Sequence, residues 1–292
     1  MINGDNPKSS WERLVYFYQC IKYGTKGNAR SARIKRVRLK QFEIHNDVGT
    51  PSRKLSNLFW ASLNWKSLTN QLCTKANILD LGCGDGHYSY RYKKLLDKNF
   101  DQYTGIDIYK HDQFPSEFTH ILDKAENAYQ HIDGQNLIVS QSALEHIEHD
   151  QLTLKTITKK LSEKGNPFVQ IHLVPASAAL FLYLWHGWRQ YSKNNLGTIS
   201  EQLTSSFAVN VQIIPLGGWH CFFTHLKNIT VPNLFRRVFK LKLKYDWDIK
   251  DTKTTNKINE SVNAELHVSE SLPTFWALII TSKNIDINNL FI

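Results

Sequence analysis

Seven short apolar runs, separated by longer polar or amphipathic stretches, constrain this chain more than any other feature. They are ANILDL (76–81), YTGIDI (103–108), THILD (119–123), NLIVS (136–140), PFVQIHLV (167–174), VNVQII (209–214) and FWALIIT (275–281). The runs are rich in β-branched residues and mostly do not alternate, as expected of strands covered on both faces. Strands separated by helix-length segments indicate a parallel α/β sheet with right-handed crossovers. The chain has 292 residues, 41% of them apolar, so it can bury a sizeable core.

Other segments carry expectations of their own. Residues 56–72 read as one helix, with Asn57, Asn64 and Gln71 on a polar stripe and Leu58, Trp65, Leu68 and Leu72 opposite. Pro232 suits the first position of a helix whose Leu234, Phe235, Val238 and Phe239 pack inward. The polar stretch 251–263 reads as a flexible loop before the last strand.

The first strand runs directly into Gly82, Cys83, Gly84, Asp85 and Gly86. A glycine-rich strand-to-helix turn lets the backbone bend sharply and approach a ligand closely. A dinucleotide site would want GxGxxG, but His87 stands where its third glycine belongs. The pattern is instead D-x-G-x-G-x-G, led by Asp80, with Asp85 in its mouth. Carboxylates there repel a pyrophosphate and suit a ligand bearing an ammonium and a sulfonium. About 20 residues on, Asp107 ends the second strand, where a carboxylate can accept both ribose hydroxyls.

These motifs resemble the class I S-adenosylmethionine (SAM)-dependent methyltransferase family, clearly over 76–150 and more loosely to 283. The resemblance implies a doubly wound, mostly parallel seven-stranded Rossmann-like sheet with an antiparallel last strand. To this the chain adds a helical N-terminal cap. The implied domains are a basic cap at 1–54 and a SAM-binding domain at 55–292, with a substrate-covering insertion near 176–207. The implied cofactor is S-adenosyl-L-methionine. Asp80, Gly82, Gly84 and Gly86 would cradle its methionine part and Asp107 would hold its ribose, with Cys83 and Ile108 as further cofactor contacts. Asp123 or Lys124 would edge the adenine. Ser140 and Gln141 would join them from the end of the fourth strand.

The family often carries LEH after that strand, here Leu144, Glu145 and His146. His146 is a candidate general base for a hydroxyl acceptor, the alternative being a residue that caps or packs the helix. Some quinone-type O-methyltransferases hold a divalent ion here with acids and a histidine. Ser142 stands where another glutamate would be needed, so no metal is expected.

Further on, His186, Arg189 and His220 sit among tryptophans and tyrosines. Aromatic faces with hydrogen-bonding arms suit a sugar or planar acceptor, and equally a core with polar tips. This C-terminal half is similar to methyltransferases among bacterial surface-polysaccharide enzymes, implying a sugar, lipid-linked sugar or small-molecule hydroxyl as acceptor.

Charge opens competing readings. Residues 1–54 hold twelve Lys/Arg against four acids, so the cap supplies +8 of the chain's +10. A second basic run spans 236–244. Such segments could contact nucleic acid, an anionic membrane surface or nothing but solvent. RNA methylation is the second enzymatic reading, although the fourth strand ends in SQSA, without the polar-Pro-Pro-aromatic run of RNA-base N-methylation. A non-catalytic module that binds cofactor or anions is the third. The four cysteines form no CxxC, and the longest apolar run, 173–185, is too short to span a bilayer. A cytoplasmic location is therefore expected, with peripheral contact at the inner face of a membrane as one possibility.

Overall fold

β1 (Ala76–Leu81) lies at the middle of a seven-stranded sheet, and the other strands build outward from it. The structure is a computed structural model that describes residues 1–40, 49–242, 249, 251–266 and 271–291. Helices α1 (Ser10–Thr25), α2 (Pro51–Ser62) and α3 (Trp65–Leu72) precede β1. Then follow α4 (His87–Leu96), β2 (Phe100–Asp107), β3 (Thr119–Leu122), β4 (Leu137–Gln141), α5 (Asp150–Glu163) and β5 (Val169–Pro175). The remainder is α6 (Leu180–Tyr183), α7 (Lys193–Ser206), β6 (Val209–Leu216), α8 (Trp219–His225), α9 (Val231–Val238), α10 (Thr252–Ala264) and β7 (Phe275–Ser282).

The strand order is β3-β2-β1-β4-β5-β7-β6. The first five strands pair in parallel, and β7 runs antiparallel between β5 and β6. All seven apolar runs are strands, and the antiparallel last strand is present. Alternate residues of β1 feed two cores. Ile78 joins Trp60, Leu68 and Tyr92 on one face, while Leu79 and Leu81 join Leu154, Ile157 and Leu196 on the other.

Three local expectations are corrected. The predicted helix 56–72 is two helices, broken at Leu63–Asn64, because the Asn64 side chain accepts from Ser67 N and starts a new helix. Residues 251–263 are not a loop but the body of α10. Asp251 caps it, and Ile258 and Val262, one turn apart, are fully buried. Pro232 does open a helix, but Leu234, Phe235, Val238 and Phe239 are 46–69% exposed rather than packed inward.

The N-terminal cap is woven into the fold. After α1, residues 33–35 pair with β6, with Lys35 N donating to Ile213 O at 2.9 Å and Ile213 N to Arg33 O at 3.0 Å. Val37 and Leu39 turn inward while Arg36 and Arg38 stay exposed. Much of the cap's charge therefore lies on the solvent side of an extended sheet edge, where it discourages pairing with a further strand. Residues 41–48 of the cap, and Leu243 and Lys244 of the second basic run, lie outside the described residues.

Candidate active site

β1 and β2 end side by side, and the glycine turn is tied across their ends. Gly82 N and Cys83 N both donate to Ile106 O, at 2.8 and 3.1 Å. Gly82 has φ +67°, and a Cβ there would stand 2.6 Å from that of Ala143. Only glycine lets this loop close against the segment after β4. Gly84 N donates to Asp107 Oδ2 at 2.8 Å, and Tyr109 N to Asp107 Oδ1 at 2.9 Å. Asp107 thus clamps the turn while its carboxylate edges the cleft.

That cleft has a volume of about 420 Å³ and opens at the C-terminal ends of β1, β2 and β4. Ligands of open α/β sheets bind at such a point, where strand order reverses. Of the residues expected to hold a cofactor, Gly82, Asp107, Ile108 and Asp123 line it. Asp123 is shaped by its neighbours: His131 and Asn127 bond its two oxygens and hold its pKa below the usual carboxylate value. A glycine-rich turn, the Asp107 carboxylate and the apolar Ile108, Ala125 and Ile147 converge on the cleft.

The other expected cofactor residues sit just outside the wall. Asp80 is 2% exposed on the opposite side of β1, with Oδ2 accepting from Tyr103 OH at 2.7 Å and Oδ1 unpartnered. Burial, opposed by the Tyr103 bond and aided by the Asp107 charge, pushes its pKa up to about 7. Cys83 Sγ packs against Gly105, and Gly86 faces the Phe114 ring. Burial pushes the Cys83 thiol far up, so it is inert. Gly84 touches the site through its bond to Asp107, and the Lys124 side chain is exposed. Ser140 is fully buried and bonded to His172, whose burial lowers its pKa to about 3. Gln141 Oε1 accepts from Trp60 Nε1 of α2.

His146 lines the cleft from a 3-10 turn, Leu144–His146, that follows β4. Beside it stands His186, its ring centroid 4.6 Å away and perpendicular. Two close approaches bring His186 there. Trp188 N donates to Glu145 O at 2.6 Å, and Gly187, at φ +65°, passes so near Glu145 O that a Cβ would collide with it. The third partner is Asp5. Its segment is pinned by Gly4 N to Gly187 O at 2.6 Å and by Gly187 N to Asp5 Oδ1 at 3.0 Å. Asp5 Oδ2 meets His146 Nδ1 at 2.6 Å. Burial would lower the His146 pKa, but the Asp5 bond and the Glu145 and Asp5 charges raise it overall. Burial would likewise raise that of Asp5, but the imidazoles and Gly187 N–H outweigh it.

Sequence reasoning missed Asp5, with its neighbours Asn3 and Asn6 that also line the cleft, because nothing local marks a polar N-terminus as part of a site. The two remaining substrate candidates lie elsewhere. Arg189 is 5% exposed; it pairs with Asp150 at 2.9 Å and donates to Ile147 O at 2.7 Å, bracing the segment behind His146. His220 is the second residue of α8 and borders a different, more open depression with Phe223 and Lys227.

A family model described as a methyltransferase domain matches residues 34–206. No curated protein matches the chain. Solved structures similar to it include the methyltransferase domain of bacterial CtHen1 at 13% identity, covering 79% of this chain and 99% of that one with a TM-score of 0.47. Another is the plantazolicin methyltransferase BamL, in complex with a triazolic desmethyl analogue and SAH, at 14% identity, covering 75% and 85% with a TM-score of 0.40. A third is a SAM-dependent methyltransferase from Archaeoglobus fulgidus, at 15% identity, covering 71% and 86% with a TM-score of 0.42.

Proposed function

Because this chain belongs to the SAM-dependent methyltransferases, we propose that it methylates a hydroxyl oxygen on an uncharged acceptor, a sugar, glycan or small molecule. Its cofactor is S-adenosylmethionine, which when bound supplies a methyl group on a sulfonium. The observation that carries the choice of acceptor is the charge of the cleft wall. Asp5, Asp107, Asp123 and Glu126 line it, with the amides of Asn3 and Asn6 and no Lys or Arg among the described lining residues. A phosphate-rich acceptor would meet carboxylates there, whereas sugar hydroxyls would find acceptors and donors. Asp107 would take the ribose, and Asp5 and His146 would receive the acceptor hydroxyl, with His186 packed behind them. The basic segment 28–40 favours RNA less than its charge suggests. It borders β6, four strand positions from β1, on the order of 19 Å at ordinary strand spacing. Incubation with methyl-labelled cofactor and separate RNA, lipid, polysaccharide and small-metabolite pools tests the reading. Label should enter the polysaccharide or polyhydroxylated metabolite pool, and uptake by RNA alone would overturn it.

A second surface supports docking on an anionic membrane. α1 presents Trp11, Leu14, Tyr18 and Ile21 to solvent, each more than half exposed, on one helical stripe. α9 and the residues after it present Phe235, Val238, Phe239 and Leu241 among Arg236, Arg237, Lys240 and Lys242. The two meet at Trp185, whose ring lies 4.7 Å from the Arg13 guanidinium and 5.4 Å from that of Arg237. Apolar side chains ringed by cations suit lipid headgroups, at about 1 kcal/mol per basic residue near the surface. No helix among the described residues is long and apolar enough to cross a membrane. Sedimentation with phosphatidylglycerol-containing vesicles should pull the protein down, and Phe235→Asp with Phe239→Asp should release it. Equal binding to purely zwitterionic vesicles, or none to either, would contradict this docking.

A further inference from the structure

Glu145 is unexplained by cofactor binding. Its side chain is fully buried, and neither carboxylate oxygen has a hydrogen-bond partner. A buried, unpaired carboxylate is costly, and such groups are normally matched by a cation. What faces Glu145 Oε1 is His186 Nε2 at 3.4 Å and His146 Nε2 at 4.0 Å. The other nitrogens of the same two rings face Asp5, His146 Nδ1 at 2.6 Å and His186 Nδ1 at 3.8 Å. Each imidazole therefore stands between two carboxylates. His146 Nδ1 is taken by Asp5, and its Nε2 faces the buried Glu145 carboxylate at 4.0 Å, too far for a hydrogen bond.

We propose that Asp5, His146 and His186 bind a divalent transition-metal ion, with Glu145 behind them receiving the outward N–H groups of the imidazoles. A carboxylate in that outer position fixes the tautomer and orientation of metal-binding histidines. Ligand atoms of the three residues lie within 4.8 Å of one another. Metal–ligand bonds of about 2.1 Å would place neighbouring donor atoms roughly 3.0–3.4 Å apart. His146 Nδ1 lies 2.6 Å from Asp5 Oδ2 and His186 Nδ1 3.8 Å from Asp5 Oδ1, so side-chain shifts on the order of 1 Å would bring three donors to one ion. Two imidazoles and one carboxylate suit zinc, iron(II), cobalt(II) or manganese(II) better than magnesium or calcium. Asp5 precedes residue 34, where the methyltransferase-domain match begins, so the third ligand comes from outside the matched residues.

The ion's catalytic role rests on the O-methylation reading. Asp5 and His146 line the cleft, so open coordination positions would face an incoming hydroxyl. An ion held there would lower the pKa of a bound hydroxyl, whose proton would pass to solvent at the cleft mouth; the oxygen would then form the O–CH₃ bond as the S–CH₃ bond breaks and S-adenosylhomocysteine leaves.

The test is a titration of the chelator-treated, full-length protein with Co²⁺ alone, followed by calorimetry and visible absorption without cofactor or acceptor. A Cys73→Ser background removes the exposed thiol. We expect one ion per chain with cobalt d–d bands. Asp5→Asn and His186→Gln should each weaken binding more than tenfold, and Glu145→Gln should do so about 10–100-fold. His186 is not a cleft-lining residue, so His186→Gln should keep its affinity for S-adenosylhomocysteine, showing that the fold is intact. Absence of binding, or binding equally tight in Asp5→Asn and His186→Gln, would overturn the site. If the ion binds as expected but methyl groups reach only nitrogen, the site stands and the O-methylation reading fails. If no ion binds and chelator-treated protein methylates a hydroxyl at full rate, the reading stands and the site fails.

Discussion

Replacing Asp107 with alanine should weaken cofactor binding by about 3 kcal/mol, about 150-fold in Kd. The carboxylate accepts Gly84 N–H and Tyr109 N–H at 2.8 and 2.9 Å, which fixes both the glycine turn and the loop after β2. Its remaining lone pairs would accept the two ribose hydroxyls. Hydrogen bonds to a charged acceptor contribute roughly 1.5–3 kcal/mol each, so losing the ribose pair removes about 3–6 kcal/mol. Water entering the space left by alanine restores part of that, which brings the expectation to the lower end. Asp107→Asn keeps one acceptor oxygen and should cost about tenfold, since one charge-assisted contact is lost. The assay is calorimetric titration with S-adenosylhomocysteine, repeated with methylthioadenosine, which has the ribose but no amino-acid tail. Both ligands should lose affinity by the same factor. An Asp107→Ala protein with unchanged melting that binds S-adenosylhomocysteine within threefold of the parent would refute the assignment.

Two further outcomes follow from buried charges. Asp80 has its folded pKa raised from 3.8 to about 7, so between those values the folded state holds a proton that the unfolded chain has lost. Its contribution is complete below pH 4 and disappears as pH rises through 7, a loss of about 4 kcal/mol. Urea titrations should therefore show the parent losing stability relative to Asp80→Asn across that window, and parallel pH profiles would contradict the burial argument. Arg189→Ala leaves Asp150, 4% exposed, without its cation, with only the Tyr191 hydroxyl still donating to it at 2.7 Å, and should cost about 3 kcal/mol of stability. Because Arg189 braces rather than binds, KM for the acceptor should hold at temperatures where the variant is folded, and a selective rise in KM would restore it to the substrate site.

The sheet and its ligand-binding edge were legible because they are written locally. Each strand is a contiguous apolar run, and the turn after β1 needs left-handed residues at Gly82, Gly84 and Gly86, all with positive φ. The proposed acceptor cluster was only half legible. His146 follows a strand end whose position the pattern predicts, whereas Asp5 reaches it across 141 residues of chain, and no local signal records that. Arg189 shows why aromatic-rich polar stretches mislead: a buried brace and a binding arm need the same residue types. α9 reads as an inward-packing amphipathic helix because periodicity reveals an apolar face and not what covers it. The loop expected at 251–263 failed for the opposite reason. Its apolar face consists of little more than Ile258 and Val262, too thin a stripe to stand out.

Methyl transfer can be followed to the receiving atom. Turnover with cofactor carrying a ¹³C-labelled methyl, read by carbon–proton correlation NMR on the purified product, identifies the atom that received it. We expect an oxygen-bound methyl on an uncharged polyhydroxylated acceptor, lost when His146 is replaced by glutamine. A methyl on nitrogen or carbon, or on a nucleotide of RNA, would contradict it.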